Sequence, residues 1–274
     1  MRWQRAAGAA VLLVAAHAQK VTGQTPPPRD SGRKFEIVDN SFLVEEAFNQ
    51  EARVFQNIFS WTFARDGEWD ATFTQEWPLR GMTHQFSYTV PFARADGRTG
   101  ISDVLVNYRY QLLRESTRGP ACAPRLSVIV PTGSTANGFG DGVAGLQVNV
   151  PFSKQFRDLY VHWNIGWTWH PRLALIGGGR ESLTSPQVAA SGIWRASPMF
   201  NVMLEAVVQF EETLEAGTRT ITERIVTVSP GFRRGWNIGD RQIVVGAAVP
   251  VSFGESGRRT TLLTYFSYEL PFGR

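Results

Sequence analysis

The chain has 274 residues and a formal net charge of +4, with 43% hydrophobic and 12% aromatic residues, among them nine Trp. The modest charge argues against a nucleic-acid partner, because nucleic-acid binding leaves a strongly basic footprint. The single cysteine, Cys122, excludes an intrachain disulfide and is interpreted as an incidental loop thiol. The mean hydropathy of −0.18 is that of a soluble protein. It is equally expected of a transmembrane β-barrel, whose strands turn half their residues toward a polar lumen.

The N-terminus predicts export. Arg2 and Arg5 precede an apolar run at 6–16, and Ala16-His17-Ala18 offers a small-x-small cleavage site. Residues 1–18 are therefore predicted to be a secretory signal peptide. The run is too short to span a bilayer, and no later apolar stretch approaches the roughly 20 residues that a spanning helix needs. Cleavage removes two arginines and lowers the net charge to about +2, and export also argues against a nucleic-acid partner.

Residues 19–50 are predicted to be a periplasmic lead-in. The stretch up to Arg33 contains Pro26-Pro27-Pro28 and is typical of a flexible segment. Between Phe35 and Gln50, apolar residues recur near helical spacing behind N-cap candidates. This pattern predicts a short helix that lies at the periplasmic rim or enters the lumen as a partial plug. A structureless tail is the alternative.

From residue 51 onward the chain alternates with a period of two. About twelve segments place aromatic or branched apolar residues on one face and polar residues on the other, which indicates β-strands with one oily face. Most have roughly 9–11 residues, enough to cross a bilayer at a tilt, whereas soluble strands average about 5–6. The predicted fold class is all-β: residues 51–274 form a closed antiparallel transmembrane β-barrel in the bacterial outer membrane, in contact with its lipid. A soluble two-sheet sandwich is the alternative.

The last strand, Thr260 to Phe272, ends the sequence with alternating aromatics, which predicts the barrel insertion machinery as a partner. With a periplasmic N-terminus, short turns are expected on the periplasmic side and longer loops outside. The short turns are predicted at 78–81, 153–158, 196–198 and 235–240, and the longer outer loops at 131–141, 170–185 and 212–219. The link at 114–124 is long for the periplasmic side.

No motif assigns catalytic chemistry. Gly140-x-Gly142-x-x-Gly145 matches a dinucleotide fingerprint, but an alternating strand follows it where that motif requires a helix. The four histidines are dispersed and predict no metal site. No nucleophile-elbow motif is present, so the chain is predicted not to be an enzyme and to use no cofactor. A hydrolase built on a barrel is the minor alternative, and it would need a nucleophile, a His and an orienting acid or amide.

Ten polar residues on the inward faces form the candidate lumen-lining or solute-binding set. They either fill a narrow lumen with salt bridges or line a conduit for a small solute, since strand number sets barrel diameter. Their mixed charge predicts no clear selectivity. The set comprises Asp70, Glu76, Asp103, Arg109, Arg125, His162, Asn164, Glu205, Glu211 and Glu269.

Three segments carry a family resemblance: Asp39 to Glu51, Ser102 to Leu112, and Ile129 to Gly133. They are similar to the outer-membrane transporters grouped with the meta-pathway phenol-degradation proteins, and the resemblance spans most of the mature chain. It implies a porin-like barrel for uptake of small, often aromatic or hydrophobic solutes, and it implies no residue-level site. The ending Phe272-Gly273-Arg274 departs from a strictly terminal aromatic. A structural or adhesion barrel with a filled lumen is the alternative function.

Overall fold

The computed structural model describes residue 37 and residues 39–215, 219–239 and 241–272. The predicted signal peptide and the proline-rich lead-in, residues 1–33, lie outside this part. The described chain forms one 3-10 turn, Thr135–Asn137, and fifteen β-segments. These are β1 Val54–Ala64, β2 Trp69–Arg80, β3 His84–Ala95, β4 Arg98–Ile101, β5 Val104–Tyr110, β6 Ala121–Cys122, β7 Arg125–Val130, β8 Gly145–Phe156, β9 Leu159–Ala174, β10 Arg180–Ser197, β11 Phe200–Glu215, β12 Arg219–Ile238, β13 Arg241–Ala248, β14 Val251–Gly254 and β15 Gly257–Pro271.

The fifteen segments make twelve barrel strands. Segments β4 and β5 both pair with β3, β6 and β7 both pair with β8, and β13 and β14 both pair with β12, so each of these pairs is one interrupted strand. Two of the three breaks contain a proline, Pro124 and Pro250, which has no N–H to give to the ladder. The third contains Asp103, whose carboxylate holds a loop described below.

The cylinder is closed. Consecutive strands pair antiparallel around the sheet, and β1 pairs with β15 along its whole length, from Val54 opposite Pro271 to Ala64 opposite Thr261. This pairing leaves β1 and β15 without a free edge, which a stacked pair of sheets would have. The prediction of an antiparallel barrel of about twelve strands is confirmed, and the sandwich alternative is wrong.

The two faces of the barrel differ as the alternation predicts. On β1 the outward side chains Phe59 and Trp61 are 46% and 43% exposed, and Leu204 on β11 is 57% exposed. Inward positions carry polar residues, and many of them are buried, such as Gln85, Ser127 and Glu205. Because every backbone group in hydrocarbon needs an internal partner, a closed barrel with an apolar outer face is a structure that can cross a membrane. The chain is therefore a barrel of the bacterial outer membrane.

Among the described residues, no helix is long and apolar enough to cross a bilayer.

The strands extend into two of the predicted outer loops. Strand β9 continues to Ala174 and β10 begins at Arg180, so the loop predicted at 170–185 shrinks to 175–179. Strand β11 likewise reaches Glu215 and β12 begins at Arg219, within the predicted loop 212–219. The backbone ladder continues past the alternating part of these strands, where polar residues lie opposite each other, as Glu211 does Glu223. The β7–β8 link, 131–144, stays long.

The predicted role of Cys122 is wrong. This residue lies in β6, where it is 2% exposed and paired with Phe152 of β8. Its backbone also bonds with Leu113, so the 114–124 link folds back onto the wall instead of hanging from the rim. The thiol is a buried part of the barrel wall.

Candidate functional site: a plugged lumen

Residues 39–50 lie inside the barrel, near the rim where β1 begins, and we call this segment the plug. It contacts wall strands around the circumference, from β15 and β1 at Asp39 to β10 at Ser41 and β3 at Gln50. Val44 and Ala47 are at most 1% exposed. The plug contains bends but no helix, so the predicted helix is wrong. Of the two positions considered for this segment, the rim and the lumen, its described part takes the lumen.

The wall replaces the hydrogen bonds that a helix would supply. The N–H groups of Leu43 and Val44 donate to Glu205 Oε1, at 2.8 and 3.1 Å. Asn164 Oδ1 accepts from the Glu45 N–H at 2.8 Å, and its Nδ2 donates to the Glu45 carbonyl at 2.9 Å. Further along, side-chain oxygens accept from the plug backbone at Ala47 (Ser153), Asn49 (Gln111) and Gln50 (Gln85). Because buried N–H groups need partners, this ring of polar side chains holds the plug in an irregular conformation.

Glu45 of the plug forms ion pairs with two arginines of the wall. Both of its carboxylate oxygens lie 3.0 Å from Nε of Arg125, and Oε2 lies 3.3 Å from Nη2 of Arg109. Burial acts to raise the pKa of the Glu45 carboxyl, but Arg125 and Arg109 outweigh it and lower this pKa to about 2. Glu76 of β2 lies 4.0 Å from Arg109, on the wall. Glu45 therefore stays ionised throughout the physiological range.

Asp39 anchors the other end of the plug. Its Oδ1 accepts from the Tyr265 hydroxyl at 2.5 Å and from Gln56 Nε2 at 3.0 Å, and its Oδ2 accepts from the Ser267 hydroxyl. Arg233 Nη1 donates to the Asp39 carbonyl at 2.9 Å. Burial raises the pKa of the Asp39 carboxyl, against the lowering effect of Arg233. Three wall strands, β1, β12 and β15, thus meet at this residue.

An aromatic contact between these two polar anchors fixes the plug. The ring of Phe42 packs against Tyr265 with ring centroids 5.0 Å apart and an interplanar angle of 36°. It fills a notch in the inner wall where a Cβ on Gly246 would lie 2.3 Å from Phe42 Cζ, and a Cβ on Gly231 would lie 3.2 Å from Phe42 Cε2. Only glycine lets the ring approach the wall so closely.

A loop folds inward on a different part of the wall. Asp103 accepts from the N–H of Gly133 at 2.8 Å and of Asp141 at 3.2 Å, and the Asp141 carboxylate lies 3.3 Å from Nδ1 of His170 on β9. Phe139 is 5% exposed and packs over Gly100 of β4. The β7–β8 link is therefore pinned to the inner wall at three points.

Of the ten predicted lumen residues, five bind the plug directly, namely Arg109, Arg125, Asn164, Glu205 and Glu269. Two act on it through a neighbour: Glu76 faces Arg109, and His162 bonds to Ser153. Asp103 holds the inward loop instead. The structure does not bring Asp70 and Glu211 to the plug; they lie on the inner face farther from its rim, opposite Thr62 and Glu223.

The sequence patterns missed the plug's own carboxylates and several wall partners. The helical pattern makes Asp39 an N-cap candidate and places Glu45 in the first turns of the predicted helix. Arg233 follows the alternation of β12, with its neighbour Phe232 facing out, but a single inward arginine gives no sign of what it meets. The missed wall residues that bind the plug are Gln56, Gln85, Gln111, Ser153, Ser191, Arg233, Tyr265 and Ser267.

One contact bears on the hydrolase alternative. Ser153 Oγ lies 2.7 Å from Nδ1 of His162, within hydrogen-bond reach of a candidate base. Both residues are at most 1% exposed, and the Ser153 hydroxyl also accepts from the Ala47 N–H. In the described part of the chain, no three His, Cys, Asp or Glu residues could hold a metal ion.

Comparison with known proteins bears on the fold. The crystal structure of an outer membrane channel from Pseudomonas putida F1 matches with a TM-score of 0.62 and 11% sequence identity, covering 86% of this chain and 100% of that chain. The NanC porin matches with a TM-score of 0.49 and 9% identity, covering 80% of this chain and 100% of that one. No model of a known protein family and no curated protein matches the sequence. At such identity the first of these likenesses shows the shared fold, a closed β-barrel of the outer-membrane type.

Proposed function

We propose that this protein is an outer-membrane channel for small hydrophobic or aromatic solutes, closed at rest by the plug. The observation that supports this proposal is the kind of contact between the plug and the wall. An irregular segment with polar bonds to the wall lies in the lumen, and water can replace those bonds when the segment leaves. The likeness to the Pseudomonas putida channel supports a channel role, and the family resemblance supports the solute class. Insertion into lipid through the barrel machinery, with β15 as the recognised strand, belongs to the same proposal.

Conductance across a planar lipid bilayer tests the channel. The variant combines Glu45→Gln with Glu205→Gln, because the plug's Glu45 carboxylate binds Arg125 of the wall and the wall's Glu205 carboxylate accepts from the plug N–H of Val44. We expect low conductance with brief openings from the wild type and a higher open probability from the variant. Glu115→Gln is the matched control, since Glu115 pairs with Lys154 at 3.0 Å and does not bind the plug. A protein that inserts but passes neither ions nor solute in either form refutes the channel.

A specific observation favours a second candidate, a structural barrel with a filled lumen. The ion pairs of Arg109 and Arg125 with Glu45 block the lumen with paired charges, as such a barrel would. The same recording separates the two, because a structural barrel stays closed when the plug is weakened.

We propose that the protein is not an enzyme. A fluorophosphonate probe should leave Ser153 unlabelled in both the wild type and the plug variant, whereas labelling at Ser153 would establish a hydrolase.

A further inference from the structure

The carboxylate of Glu45 occupies a binding site that belongs to the wall. Arg125 holds it through Nε and through Nη2, which lies 2.5 Å from Oε1. The remaining nitrogen of Arg125, Nη1, donates to Asn107 Oδ1 at 3.1 Å and also to Ser127 and Gln147, three wall residues. Since these bonds do not involve the plug, the guanidinium keeps its position when the plug leaves. The site is thus a cationic fork fixed by the wall, and its present occupant, Glu45, belongs to the plug.

Arg109 shows that this site is incomplete on the wall alone. It is 3% exposed, and within the described residues its buried Nε has no hydrogen-bond partner. When Glu45 is withdrawn, Arg109 keeps Glu76 at 4.0 Å on the wall, whereas Arg125 loses its ion pair with Glu45. A guanidinium that has lost its carboxylate can accept another anion in its place. An arginine fork pairs best with a planar group that has two oxygens, as a carboxylate does.

We propose that Arg109 and Arg125 form a binding site for the carboxylate group of a small solute, and that Glu45 fills it at rest as an internal substitute. This inference rests on the proposed channel in one respect, namely that the plug can leave the lumen. A solute carboxylate and the Glu45 carboxylate compete for the same fork, so the solute binds the open form selectively and raises its population. An aromatic carboxylic acid meets both this requirement and the solute class of the proposed function.

Binding to the detergent-solubilised full-length protein tests the site without any transport step. Glu45→Ala empties the fork and leaves both arginines in place. Acetate and benzoate are the probes, and acetamide and benzamide are their neutral controls of the same shape. We expect both acids, but neither amide, to bind the variant in calorimetric titration and to raise its Tm. The wild type should bind them at least about tenfold more weakly, because its open form is a small fraction of the population.

Two further variants keep the test decisive. Glu45→Gln preserves the shape of the side chain in case Glu45→Ala does not fold, and it should bind benzoate more tightly than the wild type does. Arg125→Gln added to either variant should abolish binding. Equal binding of acids and amides, or binding that survives Arg125→Gln, overturns the site. If the acids bind but the bilayer recording stays silent, the site is supported and the channel is refuted. If the protein conducts but binds no carboxylate, the channel is supported and the site is refuted.

Discussion

Replacing Glu45 with Gln should loosen the plug by an amount that the structure allows us to calculate. Arg125 and Arg109 lower the pKa of the Glu45 carboxyl from 4.5 to about 2, and the side chain is 25% exposed. One pKa unit corresponds to about 1.4 kcal/mol, so the ionised form of Glu45 favours docking of the plug by about 3 kcal/mol more than its neutral form does. The amide of Gln resembles the neutral form, so docking should weaken by up to this amount, which corresponds to about 100-fold in the docking equilibrium.

Hydrogen exchange of the peptide covering residues 39–50, measured by mass spectrometry in detergent at pH 7, reports this equilibrium directly. The N–H groups of Val44 and Ala47 exchange only when the plug leaves the wall, and Glu45→Gln should accelerate them by up to about 100-fold. Glu115→Gln, which removes an ion pair outside the plug, should change nothing there. Protection within about twofold of the wild type would falsify the view that this charge cluster holds the plug.

The same reasoning fixes the pH dependence. Because docking lowers the pKa of Glu45, its stabilising contribution is complete above pH 4.5 and is lost as the pH falls through about 2. Plug protection attributable to Glu45 in the wild type should therefore decline between pH 4.5 and 2. The Glu45→Gln variant, which has no group to protonate at this position, should lack this component of the decline. An identical pH profile in both proteins would contradict the assignment.

Three other substitutions test separate parts of the structure. Gly246→Ala places a Cβ 2.3 Å from the Phe42 ring and should accelerate exchange of the plug, whereas Gly192→Ala, with no atom within 4 Å of the new Cβ, should not. Asp103→Ala removes two charge-assisted hydrogen bonds, of about 1.5–3 kcal/mol each, from the 131–144 loop; protease cleavage there should become faster while plug exchange is unchanged. Phe59→Arg on the outer face should destabilise the barrel in liposomes by about 2–4 kcal/mol if it lies near the bilayer midplane, and Leu79→Arg near the rim should cost much less.

The barrel was predictable because its signal is local. A strand with one face in lipid and one in the lumen alternates in sequence wherever it crosses, so counting the alternating segments yields the strand number. The breaks in β6–β7 and β13–β14 follow from Pro124 and Pro250 in the same local way. The extension of β11 and β12 to Glu215 and Arg219 escaped prediction, since strands outside the bilayer need no apolar face and lose the alternation.

The plug was not predictable, for the opposite reason. Phe42, Val44 and Ala47 lie near helical spacing, and local propensity alone favours a helix. Their backbone donors and those of their neighbours instead reach wall side chains that are distant in sequence: Leu43 and Val44 bond to Glu205, more than 160 positions away. A helix would leave these buried wall oxygens without donors, so the tertiary hydrogen bonds decide the conformation. Alternation identified Arg109 and Arg125 as inward, but only closure of the barrel brings them to one carboxylate.

The polar character of the lumen also explains how a filled barrel could open. Besides the apolar packing of Phe42, Ala47 and Phe48, the plug meets the wall through hydrogen bonds and ion pairs. Examples are Glu205 with the Val44 N–H and Arg233 with the Asp39 carbonyl. Each exchanges for bonds to water when the segment leaves, so its net contribution is only about 0.5–1.5 kcal/mol, more where a charge takes part. An apolar plug of equal size would lose its whole burial energy on release. The fork of Arg109 and Arg125 differs, because release breaks two ion pairs with one carboxylate and leaves both guanidiniums facing the lumen. Release is therefore most sensitive to what replaces Glu45, and an anionic solute would act there.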